Sequence, residues 1–286
     1  MRHYPRIACV CWAVALSTLL TMVPAEGLAH SLYIQSSRYQ VYKGKRSPLF
    51  FCYGHHVPVD DGVRPGKLNT VRVTAPDGTT RDLEARAETG LQSHMVRYEQ
   101  PGTWALSAWT NPGTYTVYVD TKGRDRHTIK PMSAVRDDAQ EIIKSLYSRQ
   151  YAKTYVVCGE PSQTFPARLG LELELVPTRD VSTLKPGDDL ELRVWFHGEP
   201  YDGPGSWDAT YTGFSTQAED NFHMRTEVDG ESFTVPLPNA GRWFVRYFVK
   251  VPAQGEERER FTHAKYTATL VFEVPNERKR PKADGH

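Results

Sequence analysis

An excess of charge of either sign is missing: 35 lysines and arginines stand against 34 aspartates and glutamates in 286 residues. A chain so balanced offers no field to nucleic acid or to an anionic membrane surface. Cysteine is scarce as well. Of the four, Cys9 and Cys11 sit inside the one long apolar run, Ile7 to Val23, and only Cys52 and Cys158 lie outside it. Helical patterning is almost absent, and the abundant Tyr, Thr, Val, Gly and Pro favour strands and tight turns. No small organic cofactor is expected.

What is present begins with that apolar run. Arg2 and Arg6 precede it and Gly27-Leu28-Ala29 follows it, so residues 1–29 read as a secretion signal with small residues at the cleavage positions. A cut after Ala29 sends the remainder to the periplasm with His30 at its terminus. A cut after Ala25 leaves Glu26 there instead, and an uncut run reads as a membrane anchor. Removal of Arg2, Arg6 and Glu26 takes the formal net charge from +1 to zero. Cys52 and Cys158 then form an even pair in an oxidising compartment, expected as a disulfide. It would close a loop of roughly 100 residues, for which the chain-entropy model gives about 4–5 kcal/mol.

The exported part reads as all-β, two β-sandwich domains with one helix in the first. Alternation from His30 through Leu32 and Ile34 places the terminus in a strand, and Ser47 to Tyr53 supplies another. Thr70–Thr74 and Thr79–Leu83 flank Ala75-Pro76-Asp77-Gly78 as a hairpin. The helix is expected over 134–149: Asp137 and Asp138 fall in its first turn, and Ile142, Ile143 and Leu146 recur at helical spacing. A boundary near 161–166 separates an N-terminal domain, 30–165, from an immunoglobulin-like sandwich, 166–275. The second opens on alternating Leu169, Leu171, Leu173 and Leu175 and carries turn signals about every 10 residues. The charged tail 276–286 is expected to be disordered.

Chemistry concentrates in histidine. At a cleaved terminus His30 has a free α-amine beside its imidazole, and the two together chelate a metal ion as an internal histidine cannot. Gly54-His55-His56-Val57-Pro58 is a loop in which adjacent histidines, if extended, face opposite ways. His263 starts the last strand on the face away from the apolar set Tyr266, Ala268, Leu270, Phe272 and Val274. Amine and imidazole nitrogens suit late first-row divalent ions, so His30, His55, His56 and His263 are the candidate ligands for Ni²⁺ or Co²⁺, with Cu²⁺ also suited.

These segments, Ala29-His30-Ser31-Leu32-Tyr33, Gly54-His55-His56-Val57-Pro58, Gly170-Leu171-Glu172-Leu173 through Pro186-Gly187-Asp188, Asn239-Ala240-Gly241-Arg242-Trp243 and Lys265 to Leu270, give the chain a further context. It resembles a family of exported bacterial proteins of unknown function described as periplasmic components of nickel/cobalt uptake. The resemblance spans nearly all of the exported part and implies periplasmic binding of a divalent metal for a membrane metal transporter, without enzymatic activity. Cys52, Cys158, Asp60 and Asp61 are not part of it. Two other classes stay open. One is a copper-dependent oxidase of the lytic polysaccharide monooxygenase kind, which also holds copper at an N-terminal histidine on a β-sandwich and would need aromatic residues such as Trp104, Trp109 or Trp207 at its surface. The other is a structural or adhesive envelope protein without metal.

Overall fold

Alternation becomes strands almost throughout. The structure is a computed structural model and describes residues 30–64, 66–85, 90–217 and 220–276. The expected signal, 1–29, and the tail beyond Asn276 lie outside the described residues. In chain order the strands are β1 (Ser31–Ser36), β2 (Gln40–Val41), β3 (Arg46–Gly54), β4 (Asp61–Gly62), β5 (Leu68–Thr74), β6 (Thr80–Leu83), β7 (Gln92–Arg97), β8 (Gly102–Thr110), β9 (Gly113–Asp120), β10 (Asp125–Thr128) and β11 (Ala139–Cys158). They continue as β12 (Leu173–Pro177), β13 (Asp188–Phe196), β14 (Glu199–Pro200), β15 (Pro204–Tyr211), β16 (His223–Asp229), β17 (Ser232–Leu237), β18 (Gly241–Pro252) and β19 (His263–Val274). The expected β5–β6 hairpin forms: Gly78, at φ 84°, donates to the Ala75 carbonyl, and the Asp77 carboxylate accepts from Thr79 N–H.

The expected helix over 134–149 is not there. Met132–Ala134 is a single 3₁₀ turn, and residues 139–158 form the longest strand, β11. The apolar spacing that mimics a helix has a local cause. The pairing of β11 with β9 skips Gln140 and Ile143, two bulges that break the period of two. The segment Leu169–Leu175 also departs from the expected strand, which begins only at Leu173. Backbone N–H groups of Leu169, Gly170 and Leu171 donate instead to the Glu174 carboxylate.

An eleven-stranded sheet runs β16-β15-β18-β19-β11-β8-β5-β6, with β9, β10 and β2 pairing off that path. Strands β11 and β19 lie parallel from Leu146↔His263 to Thr154↔Val271, so one sheet crosses the boundary expected at 161–166. The two halves keep separate cores but share their central layer. The alternation of β11 explains how: Ala152 and Val156 enter one core, and Tyr151 and Tyr155 the other. A four-stranded sheet of β1, β3, β4 and β7 builds the first core with β5, β8 and β11. Another, of β12, β13, β14 and β17, builds the second with β15, β18 and β19. In β13 the buried Leu190, Leu192 and Val194 alternate with exposed Asp189, Glu191 and Arg193, and each buried leucine is worth about 1.5–3 kcal/mol against leaving it in water.

Strand β1 meets the central sheet along its free edge. Leu32 N–H donates to Gln150 Oε1 at 2.6 Å, and the Leu32 carbonyl accepts from the Thr269 hydroxyl at 2.8 Å. Leu32 and Ile34 pack on the side of Val71, Leu106 and Val156, and Tyr33 on the side of Phe244 and Val271. This geometry also separates the cysteines. Cys52 on β3 shares the Tyr33 side, whereas Cys158 belongs to the Leu32 side. Both are buried free thiols, so the expected disulfide is not formed, because the β1–β3 layer lies between them.

Candidate functional site

The register of β1 on β3 assembles the site. Ser31 pairs with Gly54, so His30 and His55 follow as cross-strand neighbours at the end of the pair. Their ring centroids are 4.6 Å apart, and the His30 ring stacks on Tyr53 at 5.6 Å and 15°. Gln150 on β11 holds His30 from below: its Nε2 donates to the His30 carbonyl at 3.1 Å and to the Tyr53 hydroxyl at 3.3 Å. His30 is exposed and His55 is buried.

The loop after β3 is caged. Asp60 Oδ2 accepts from His55 N–H at 2.8 Å, and the Tyr33 hydroxyl donates to the His56 carbonyl and accepts from Asp60 N–H. Gln35 Nε2 donates to the Pro58 carbonyl. Gly54 is obligatory here: a Cβ at that position would fall 2.3 Å from the Asp60 carboxylate.

Beneath His55 lies a buried polar network. Arg246 on β18 donates from Nη1 to His55 Nδ1 at 3.0 Å, from Nε to Asp208 Oδ1 at 2.5 Å and from Nη2 to Asn221 Oδ1 at 3.1 Å. Asp208 also accepts from Arg225 at 2.8 Å. Arginine donates only, so His55 Nδ1 is the acceptor and the ring is neutral with its proton on Nε2. The imidazole pKa is correspondingly lowered to about 4, first by burial, then by the charges of Arg246 and His30.

The four candidate ligands divide. His30 and His55 are brought together. His56 turns away in the bend that follows β3: its Nδ1 lies 3.5 Å from Asp60 Oδ2, and its ring lines a shallow groove with Pro58 and Phe214. His263 shares a sheet face with Thr267, which pairs with Gln150, but stands four residues before it, about 13 Å along the strand. Among the described residues no three His, Cys, Asp or Glu side chains cluster as a metal site. Two imidazoles do converge, and a free α-amine on His30 would be a third nitrogen. The donor set suits a late first-row ion in kind, with one adjustment. A ligating histidine ordinarily donates its second ring N–H to an acceptor, whereas here Arg246 donates to it. His55 must turn its ring or exchange its tautomer to present a lone pair toward His30.

Sequence reading missed Tyr53, Gln150, Asp208, Asn221 and Arg246. Arg246 leaves a signal: it interrupts the apolar run Trp243-Phe244-Val245-Arg246-Tyr247-Phe248-Val249, which marks a charge that is buried and therefore paired. Of the aromatic residues considered for a saccharide surface, Trp104 and Trp207 are buried at 6% and 9% exposure, while Trp109 is half-buried and lines a groove.

The chain belongs to the family described as a domain of unknown function, DUF4198, which it matches over residues 27–251. No curated protein matches it. Similar solved structures include a DUF4785 family protein from Legionella pneumophila, at 9% identity over 75% of this chain and 50% of that one, with a TM-score of 0.22. Escherichia coli alpha-2-macroglobulin activated by porcine elastase is similar at 11% identity over 85% and 20%, TM-score 0.23. The three N-terminal domains of the bacteriophage RB49 outer capsid protein Hoc are similar at 15% identity over 85% and 59%, TM-score 0.18. The chain thus spans half the length of the first and a fifth of the second.

Proposed function

We propose that this DUF4198 protein is a non-enzymatic periplasmic binding protein that captures a divalent late first-row metal ion at His30 and His55 and presents it to a membrane transporter. The observation that carries the reading is the 4.6 Å approach of the two imidazoles at the end of a strand pair. Gln150 and the caged loop pin both backbones, so little ordering remains to be done on binding. The His30 amine and imidazole and the His55 imidazole supply the nitrogens, with cleavage before His30 as the step that completes the set. His56 and His263 stand outside it. The intrinsic order of such nitrogen sites favours Cu²⁺ over Ni²⁺ and Co²⁺, so preference for nickel or cobalt in the cell rests on supply and on the resemblance to uptake proteins. The metal is cargo, and no reaction is assigned to it.

Titration calorimetry with each of the three ions on the exported protein tests the ligand set. His55→Gln should weaken binding by about a hundredfold or more, the loss of one imidazole ligand, while His56→Gln and His263→Gln leave it unchanged. Equal binding by His55→Gln and wild type would discard the site.

A further inference from the structure

The face of β11 turned away from His30 carries a second site. Gln150 points to the terminus, and its neighbours Arg149 and Tyr151 point into a groove of about 460 Å³. The groove has the β5–β8 sheet face as its floor and residues 168–172 as its wall. Three guanidinium groups converge on it, each held by pairing or stacking and each with N–H groups to spare. Arg72 donates through Nε and Nη2 to Asp82 at 2.7 and 3.0 Å, and its head lies 5.3 Å from the Trp109 ring. Arg149 donates through Nη1 to Glu172 at 2.5 Å, and its Nε is buried with no partner. Arg168 stacks on Trp195 at 3.6 Å and donates to the Gly198 carbonyl. Asp82 and Glu172 balance two of these charges, and among the described residues no carboxylate pairs with Arg168.

Charge alone does not describe the groove. The hydroxyls of Thr74 and Ser107 line its floor without a protein partner among the described residues. The Trp109 indole beside them is fixed by its Nε1 donating to Asn69 at 3.1 Å. An inorganic oxyanion would use one guanidinium fork and leave the hydroxyls and the indole idle. A groove of this volume accommodates a small organic molecule, and the mixture of forks, hydroxyls and a flat ring fits one with a carboxylate, hydroxyls and an apolar ring face. We propose that this groove binds a saccharide carrying carboxylate groups. The arginines are already oriented by stacking and pairing, so binding sacrifices little side-chain freedom.

The test is calorimetric titration of the full exported chain with digalacturonate, with the neutral digalactose and with inorganic phosphate. Digalacturonate should bind, should weaken as salt rises, and should bind at least about tenfold more tightly than either comparison ligand. The double variant Arg72→Gln, Arg168→Gln, which alters two surface side chains, should lose about tenfold or more of that affinity and keep the wild-type urea midpoint and metal binding. Trp109→Leu should weaken digalacturonate without changing its salt dependence. Absence of binding, equal binding of digalactose or phosphate, or an unaffected double variant would each overturn the proposal.

Discussion

Lys153 and Arg246 are both sealed from solvent, at 1% exposure each, yet they are buried to different ends. Lys153, on β11, donates to Glu174 at 2.8 Å and to the Ala167 carbonyl at 2.6 Å, and Glu174 gathers three further backbone N–H groups from residues 169–171. Every partner lies where the chain leaves one core for the next, and the ion pair itself is sealed, Glu174 being as buried as Lys153. Arg246 spends two contacts on Asp208 and Asn221 and the third on His55, whose neighbour His30 is exposed. The first arrangement is a lock between the two halves. The second is a support that ends in a ring at the surface, and that asymmetry marks the site more clearly than the count of histidines does.

The lock should show the largest effect on stability. Lys153→Met strands the Glu174 charge in the core and should cost about 3–5 kcal/mol, read as a lower urea midpoint, with metal affinity per folded molecule unchanged. A loss under about 1 kcal/mol, the worth of a surface pair, would show that the backbone N–H groups alone satisfy Glu174. Arg246→Gln should cost less, about 1–3 kcal/mol, because Arg225 still pairs with Asp208. The shorter side chain carries a carbonyl that can accept from a His55 Nδ1–H, the tautomer that frees Nε2, so metal affinity of the folded protein should rise. A fall in affinity at unchanged folded fraction would mean that Arg246 assists binding.

Acid sharpens the same contrast. Native His55 takes its proton near pH 4 and the unfolded residue near its ordinary 6.5. Between those values the unfolded state binds more protons, so this group's contribution to stability is intact above about pH 6.5 and is lost progressively as the pH falls toward 4. Urea midpoints of wild type and His55→Gln at pH 7 and pH 4.5 should diverge, the wild type losing more on acidification. Parallel losses would place the acid sensitivity elsewhere. The smallest expected effect concerns sulfur. Burial raises both thiols, Cys52 to about 12, so neither should react in the native protein, two should react after unfolding without reductant, and a reductant should leave the urea midpoint unmoved. A disulfide would instead contribute about 4–5 kcal/mol.

The legible parts of the fold were those written in local alternation. β1, β13, the β5–β6 hairpin and β19 follow from period and turn residues alone. β11 was illegible because its two bulges reproduce helical spacing, and because its identity as a strand depends on partners more than a hundred residues away in β19. The shared central sheet was hidden for the same reason, since nothing near 161–166 reports which strand will lie beside β11. At the site, the juxtaposition of His30 and His55 is a register effect of two strands that could each be read, whereas the divergence of His55 from His56 is set by the bend after β3. Arg246 meets His55 across 191 positions of sequence, and the distance of His263 along β19 from the pair Thr267 and Gln150 is a matter of register, which face parity cannot reveal.

In the proposed metal site His30 contributes both nitrogens of a free terminus. Calorimetric titration with Cu²⁺ and Ni²⁺ of protein beginning at His30, against the same protein with one alanine added before it, tests this most directly. The added residue should weaken binding of both ions by about a hundredfold or more, through loss of one nitrogen ligand, at an unchanged urea midpoint. Equal affinities in the two forms would contradict it.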